Sequence, residues 1–171
     1  MEKKSEESSK NEFVFDTSAF LSLEGVNLLL RILELSSVLT TQKVIKEVEE
    51  FAQYEDVLGN IAKCVLKKKS QFQIVNVIVK YKLNFVSDVD EELFNLALIK
   101  NLFLITDNLK LLRHSKGKIK VAFSTFFLFT FINIGMLTKD DAISKLEAMR
   151  NIRNWQDNII YISTKDAINN L

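Results

Sequence analysis

Four acidic residues occupy comparable places along this chain, each near the end of a predicted strand or the first turns of a predicted helix: Asp16, Glu47, Asp90 and Asp107. Like charges gathered in one cleft repel one another unless a cation neutralises them. Carboxylate oxygens without histidine or cysteine suit a hard ion such as Mg²⁺ or Mn²⁺. The four acids therefore predict an oxygen-lined metal site, provided that the fold brings them together.

Each of three acidic positions also has a simpler explanation as a helix cap. Asp16 ends an apolar run and precedes a helix, and Asp is a favourable N-cap residue. Ser87 and Asp90 have the spacing of a capping box. Asp107 and Asn108 lie at a similar strand-to-helix junction. The sequence alone leaves both explanations open at each position.

Helical geometry selects Glu47 among its acidic neighbours. At about 100° per residue, Glu47 lies within about 60° of Val44 and about 40° of Phe51, which mark the apolar stripe of its predicted helix. Glu49 and Glu50 project further from that stripe. Glu47 is therefore the acid that we expect nearest the protein interior.

The same geometry separates Asp90 from Asp88. Asp90 lies near the middle of the helix face formed by Leu93, Phe94 and Ala97, whereas Asp88 lies roughly on the opposite side. A carboxylate on an apolar face is costly unless a cation or hydrogen bonds compensate it. We therefore expect Asp90, and not Asp88, to point towards the site.

Short apolar runs alternate with helical patterns along most of the chain. The predicted strands cover residues 13–15, 38–40, 73–79, 102–106 and 119–123, and the predicted helices cover residues 23–35, 41–51, about 55–69, 87–100 and a short segment around Leu111 and Leu112. Such alternation is typical of a mostly parallel sheet that is covered by helices on both faces. The fold class is therefore α/β.

Composition and length favour one domain. The chain has 171 residues, 47% of them hydrophobic, and a formal net charge of +1. A lone cysteine, Cys64, and the lack of a signal peptide point to the cytoplasm. We predict a disordered tail over residues 1–11, the α/β domain over residues 12–124, and a helical extension over residues 125–171 that packs on the same domain.

The extension begins with an apolar segment, residues 126–137. Polar residues interrupt it, so we do not expect a membrane span. A helix that is apolar all round is normally buried, here against the sheet or against a second copy of the chain. The next helix is predicted over residues 138–153, and a last short helix is predicted from Ser163.

The order of the acidic motifs resembles that of the PIN-domain ribonucleases. The resemblance rests on FVFDTSAFL at residues 13–21, TTQKVIKEV at 40–48, SDVDEELFNLA at 87–97 and LITDN at 104–108. It covers about residues 13–123. It implies a three-layer α/β/α fold with a central five-stranded, mostly parallel sheet, in which the strands before Asp16 and Asp107 are neighbours at the centre.

The resemblance also implies an activity, that of an endoribonuclease dependent on Mg²⁺ or Mn²⁺. The quartet Asp16, Glu47, Asp90 and Asp107 would supply the metal ligands. Ser18 matches a small hydroxyl residue that supports the first aspartate. Asn108 stands where many members carry a further acid, so the resemblance does not fix whether one or two metals bind.

Several functional questions stay open at the level of sequence. The family includes toxins of toxin–antitoxin pairs and RNA-processing nucleases, so the expected partners are RNA, an antitoxin or ribosome-associated protein, and a second copy of the chain. A catalytically weak RNA- or protein-binding module is the alternative. Candidate phosphate contacts are Lys43, Lys46, Lys67, Lys68 and Lys69, although a run of lysines is more often a solvated face.

Overall fold

The computed structural model describes residues 10–84 and 86–171. The strands are β1 (Asn11–Phe15), β2 (Ser36–Thr40), β3 (Gln73–Ile74), β4 (Phe103–Ile105) and β5 (Lys120–Ala122). The helices are α1 (Thr17–Gly25), α2 (Leu29–Leu35), α3 (Gln42–Phe51), α4 (Val57–Lys67), α5 (Asp88–Lys100), α6 (Leu109–Ser115), α7 (Phe126–Asn133), α8 (Lys139–Arg153) and α9 (Ile159–Asn169). Most of the predicted tail lies outside the described residues, and Asn11 already belongs to β1.

The five strands form one parallel sheet in the order β3-β2-β1-β4-β5. The predicted α/β/α class is confirmed, and so is the prediction that the strands before Asp16 and Asp107 are neighbours at the centre. Phe13 pairs with Phe103, and Phe15 pairs with Ile105. Parallel neighbours end at the same edge of a sheet, and that carboxyl edge is where ligands bind in open α/β folds.

The central strands are apolar because helices cover both faces of the sheet. Val14 and Phe15 of β1, Leu39 of β2, and Leu104 and Ile105 of β4 are completely shielded from solvent. Each strand is only a few residues long, and each of β1, β2 and β4 is followed within a few residues by a helix. These short connections bring the helix N-termini to the same edge of the sheet.

Three predicted element boundaries are wrong. The single helix predicted over residues 23–35 is two helices, because Asn27 adopts a left-handed conformation (φ 58°) that ends α1 and turns the chain into α2. The third strand stops at Ile74 instead of continuing to residue 79. The last helix begins at Ile159, earlier than predicted, because the side chain of Asn158 accepts a hydrogen bond from the Ile160 N–H (2.8 Å).

The apolar helix α7 packs on its own chain. The ring of Phe127 lies 5.2 Å from that of Phe13 and 5.7 Å from that of Phe15, and Phe126 stacks near Phe103 of β4 (6.1 Å). Only a few apolar side chains after the helix, such as Ile134, are exposed. Among the described residues, no helix is both long enough and apolar enough to cross a membrane.

We predict that Phe127→Ala destabilises the protein by about 3–5 kcal/mol, because it removes a buried ring from an aromatic cluster and leaves a cavity. Ile134→Ala is the control, since Ile134 is 55% exposed and its truncation should cost about 0.5 kcal/mol or less. Urea denaturation measures both variants. Equal losses at the two positions would show that α7 does not pack as described.

Candidate functional site

A pocket of about 480 Å³ opens at the carboxyl edge of the sheet. Three of the four predicted acids, Asp16, Glu47 and Asp90, line it. The fourth, Asp107, is not among the lining residues, although it lies close enough to Asp16 to affect its ionisation. The structure thus brings three members of the quartet to one cavity and places the fourth beside it.

Asp16 is the most enclosed of these acids, with 6% of its surface exposed. Its carboxylate accepts hydrogen bonds from the Ala19 N–H (2.7 Å), from Ser18 Oγ (2.8 and 2.9 Å) and from Thr106 Oγ1 (2.5 Å). The Ala19 contact makes Asp16 the N-cap of α1. The cap explanation is therefore correct, and the same side chain also lines the pocket.

Burial changes the ionisation of Asp16. The pKa of this carboxyl is raised from 3.8 to about 7, mainly by desolvation and to a smaller extent by the negative charge of Asp107. Hydrogen bonds from Thr106, Ala19 and Ser18 act in the opposite direction, because they favour the charged form. In the absence of a cation, Asp16 is thus close to half-protonated at neutral pH.

Asp107 is held by two serines behind the pocket. Its carboxylate accepts from Ser22 Oγ (2.7 Å), from Ser124 Oγ (2.8 Å) and from the Ser124 N–H (2.9 Å). Desolvation raises the pKa of Asp107, whereas the hydrogen bonds from Ser22 and Ser124 and the positive charge of Arg153 lower it. The Asp107 N–H donates to Ser18 Oγ (2.8 Å), which ties this acid to the residues around Asp16.

Glu47 reaches the pocket from the middle of α3. One carboxylate oxygen, Oε2, accepts a hydrogen bond from Thr17 Oγ1 (2.5 Å), and the other makes no hydrogen bond within the described part of the chain. Glu47 is half-buried, whereas Glu49 and Glu50 are exposed, so the predicted order of burial is confirmed. Glu50 nevertheless also lines the pocket, which the sequence did not indicate.

Asp90 is both a capping residue and a pocket residue. Its Oδ2 accepts from the Ser87 N–H (3.1 Å), and its own N–H donates to Ser87 Oγ (3.1 Å), which completes a capping box on α5. Asn108 Nδ2 lies 3.3 Å from Asp90 Oδ1. Asp88 is exposed, and Asp90 is 9% exposed, so the predicted choice between them is confirmed.

Asn108 has two roles at the edge of the site. Its Oδ1 accepts from the backbone N–H groups of Lys110 (3.0 Å) and Leu111 (3.3 Å), so Asn108, and not Asp107, caps α6. Its amide nitrogen faces Asp90. A neutral donor therefore stands beside Asp90, where another acid would add repulsion.

None of the five predicted lysine contacts lines the pocket. Three form ion pairs elsewhere: Lys43 with Glu92 (2.9 Å), Lys68 with Glu24 (2.6 Å) and Lys69 with Glu49 (3.4 Å). Lys46 and Lys67 are exposed. The basic residues that do line the pocket are Lys110 and Arg153, which sequence reasoning missed.

Sequence reasoning also missed most of the hydroxyl groups that hold the acids. They are Thr17, Ser22, Thr106 and Ser124. A signal for some of them was present: Thr106 and Ser124 follow strands at the same edge as Asp16. Ser22 is four residues after Ser18, and therefore lies on the same face of α1.

The donor set of the pocket suits a hard cation, because the acidic groups supply only oxygen. Within the described residues, however, no three acidic, histidine or cysteine side chains are grouped closely enough to hold a metal ion. Mg²⁺ is usually bound through one or two carboxylates and keeps several waters. An ion of this kind would need only part of the quartet as direct ligands, with water between it and the other carboxylates.

We predict that the stability of the metal-free protein falls as pH rises from about 4 to about 7. The folded protein keeps the proton on Asp16 up to about pH 7, whereas the unfolded chain loses it near pH 4. The proton therefore stabilises the folded state below about pH 4. This stabilisation is lost between about pH 4 and about pH 7, by about 1.4 kcal/mol per pH unit at most.

Asp16→Asn should remove the contribution of the Asp16 proton, so the stability of this variant should fall less steeply between about pH 4 and about pH 7. Urea denaturation in EDTA over this pH range measures it. The variant of exposed Asp88, Asp88→Asn, is the control and should keep the wild-type slope. A slope that is the same for Asp16→Asn and the wild type would contradict the ionisation described for Asp16.

No protein-family model matches the chain, and no curated protein matches its sequence. The geometry of the site is therefore the basis for inferring its function.

Proposed function

We propose that the protein is an endoribonuclease of the PIN-domain type, dependent on Mg²⁺ or Mn²⁺. The observation that carries this proposal is the convergence of Asp16, Glu47 and Asp90 on one pocket at the carboxyl edge of a parallel sheet. When bound there, a divalent ion would activate water and neutralise charge on the phosphate. Asp16, Asp90 and Glu47 are the residues that would hold it, with Asp107 adding negative charge beside them.

Hydrogen bonds within the protein fix two of these carboxylates. Asp16 is fixed by donors from both α1 and the end of β4. Asp90 is fixed by its capping box. Such preorganisation would present carboxylate oxygens to a cation with little movement of the side chains.

Glu47 has a different environment from the two aspartates. Its Oε2 is engaged by Thr17, while its Oε1 makes no hydrogen bond within the described residues. The free oxygen is therefore available to accept a hydrogen bond from a water molecule in the pocket. This arrangement suits a group that orients the attacking water.

The proton on Asp16 links cation binding to pH. Desolvation keeps this carboxyl partly protonated near neutrality, and a metal ligand must be deprotonated. Cation binding therefore competes with the proton, and the affinity for Mg²⁺ or Mn²⁺ should rise with pH between about 6 and about 8.

The biological setting that we propose is RNA cleavage in the cytoplasm, either as a toxin that an antitoxin inhibits or as an RNA-processing nuclease. We also propose a homodimer. From the sequence, the apolar segment 126–137 is one candidate for the surface that contacts the second copy. Much of the apolar surface of α7 is covered by β1 and β4 of the same chain. A second copy would have to use other surfaces, such as the exposed Ile134 and Met136 after that helix.

A second candidate function is binding of RNA or protein without efficient cleavage. It is favoured by the absence, among the described residues, of a close group of three metal-ligating side chains. It is also favoured by the hydrogen bonds that each member of the quartet already accepts from the protein. Such a module would bind RNA equally well in EDTA and in Mn²⁺, and would not cleave it.

We predict that Asp90→Asn lowers metal-dependent cleavage of a single-stranded RNA panel by about 100-fold or more, and lowers Mn²⁺ affinity in parallel. An asparagine oxygen can still accept the Ser87 N–H, so the cap is kept while the charge is lost. Stability without metal should therefore change by about 1 kcal/mol or less, or rise, because repulsion in the pocket is relieved.

Asp88→Asn is the matched control, on the same turn of α5 but exposed to solvent. It should leave cleavage and Mn²⁺ binding at wild-type levels. Equal losses of cleavage at the two positions would contradict a specific role for Asp90. Cleavage that persists unchanged in EDTA would reject the metal-dependent mechanism itself.

A further inference from the structure

One cation in the acidic pocket comes from outside the α/β domain. Arg153 is the last residue of α8, in the C-terminal extension, and it lines the pocket together with Asp16, Glu47 and Asp90. The helix ends there because Asn154 adopts a left-handed conformation (φ 53°). The extension therefore supplies part of the pocket wall.

Arg153 has few hydrogen-bond partners within the described part of the chain. Within residues 10–84 and 86–171 it makes no ion pair and donates no hydrogen bond, and its buried Nε–H has no partner. The attraction of Asp107 acts on it only through space. A guanidinium has five N–H donors, and leaving a buried donor unpaired costs free energy.

Arg150, one turn earlier on the same helix, also has a buried Nε–H without a partner, but it differs from Arg153 in having an ion pair. Its guanidinium pairs with Glu147 (3.3 Å) and lies over the ring of Tyr161, 5.0 Å from the centroid. The ion pair lies within α8, whereas the contact with Tyr161 joins α8 to α9. Of these two arginines, Arg153 is the one that lines the pocket.

Packing between α8 and α1 fixes where Arg153 lies. A Cβ at Gly25 would come within 3.0 Å of Ile152 Cδ1, so glycine permits the close approach of the two helices at this point. Lys145 Nζ donates to the Val26 carbonyl (2.9 Å), and Met149 is fully buried. Arg153 is thus held against the helix whose N-terminus is capped by Asp16.

The charge of the pocket gives Arg153 a specific task. Four carboxylates line the cavity (Asp16, Glu47, Glu50 and Asp90), and together they repel a phosphodiester. An anionic substrate therefore needs cationic donors on the protein in addition to any bound ion. Arginine suits this requirement because its planar fork binds two phosphate oxygens at once.

We propose that Arg153 binds a phosphate of the RNA substrate in the pocket, so that the C-terminal extension completes the substrate site. This inference rests on the proposed function and extends it to a residue that is not an acid. A phosphate in the pocket would offer acceptors to the half-buried guanidinium of Arg153, whose Nε–H has no partner within the described residues.

The test measures binding of a fluorescently labelled single-stranded RNA of twelve nucleotides in EDTA, over a range of salt concentrations. We expect Arg153→Gln to weaken binding about tenfold to about a hundredfold, the value of one charged hydrogen bond to a phosphate. The dependence of log affinity on log salt should become shallower by about 0.7 for each phosphate that the protein no longer neutralises. Arg150→Gln, which removes the same charge from the same helix, should change neither quantity.

Two further measurements make the result specific. Arg153→Lys keeps the positive charge but loses the planar guanidinium that binds two oxygens at once. If Arg153 contacts phosphate directly, this variant should therefore bind RNA more tightly than Arg153→Gln but less tightly than the wild type. Full recovery by lysine, with wild-type cleavage, would show that Arg153 merely balances the charge of the acids, and would overturn the proposal. Thermal unfolding of each variant establishes that the fold is kept, since loss of the Asp107 attraction is offset in part by removal of an unpaired buried donor.

The outcomes separate the two proposals. If the wild type cleaves RNA while Arg153→Gln binds and cleaves as Arg150→Gln does, the role of Arg153 is wrong and the nuclease proposal stands. If the wild type binds RNA but cleaves none in Mn²⁺, and Arg153→Gln loses that binding, the role of Arg153 stands and the nuclease proposal is wrong. If the wild type neither binds nor cleaves RNA, both are overturned.

Discussion

The carboxylate of Asp16 lies almost entirely out of contact with solvent at the end of the central strand, with a second acid beside it at the end of the neighbouring strand. Placing a charge there costs several kcal/mol unless hydrogen bonds compensate it. The protein supplies these bonds from the backbone of Ala19 and from the hydroxyls of Ser18 and Thr106. They are too few to offset the desolvation fully, so the pKa of Asp16 stays raised to about 7.

The same hydroxyls also join the elements of the fold. Ser18 Oγ donates to Asp16 and accepts from the Asp107 N–H, and Thr106 Oγ1 donates to Asp16 and accepts from the Asn108 N–H (3.0 Å). One continuous network therefore links the start of α1, the end of β1 and the end of β4. Buried networks of this kind rigidify their surroundings when every member is satisfied. The edge of the sheet and the walls of the pocket are thus set by the same contacts.

The parts of this structure that follow from local pattern were predictable from sequence. Alternating apolar runs and helical stripes indicated the parallel sheet, and helical geometry placed Asp90 and Glu47 on inward faces. The break at Asn27 was missed because the leucine-rich run continues through it, and the left-handed turn depends on one residue. The end of β3 was missed because an edge strand has only β2 as a partner, so its length depends on tertiary pairing and not on its own β-propensity.

Residues that act across long sequence separations were not predictable in the same way. Ser22 and Asp107 are 85 positions apart, and nothing in either local segment indicates that they meet. Arg153 was missed for the same reason, since its role depends on how α8 packs against α1. The lysine run at residues 67–69 attracted attention through its composition, yet two of its members form ion pairs with nearby glutamates.

Capping and ligand binding need not be alternatives in a fold of this type. When a helix follows a parallel strand by a short connection, its first turn lies at the carboxyl edge of the sheet, which is also where ligands bind. Asp16 caps α1 and Asn108 caps α6 shortly after central strands, while Asp90, after a longer connection, completes the capping box of α5, whose N-cap is Ser87; all three line the same pocket. The unpaired N–H groups at these helix starts carry partial positive charge, which partly offsets the acids. A capping acid at such a junction is therefore held in place by the helix that it caps, with its remaining carboxylate surface directed at the pocket. For this reason an Asp→Asn change, which keeps an oxygen for the cap and removes only the charge, is the substitution that separates the two roles.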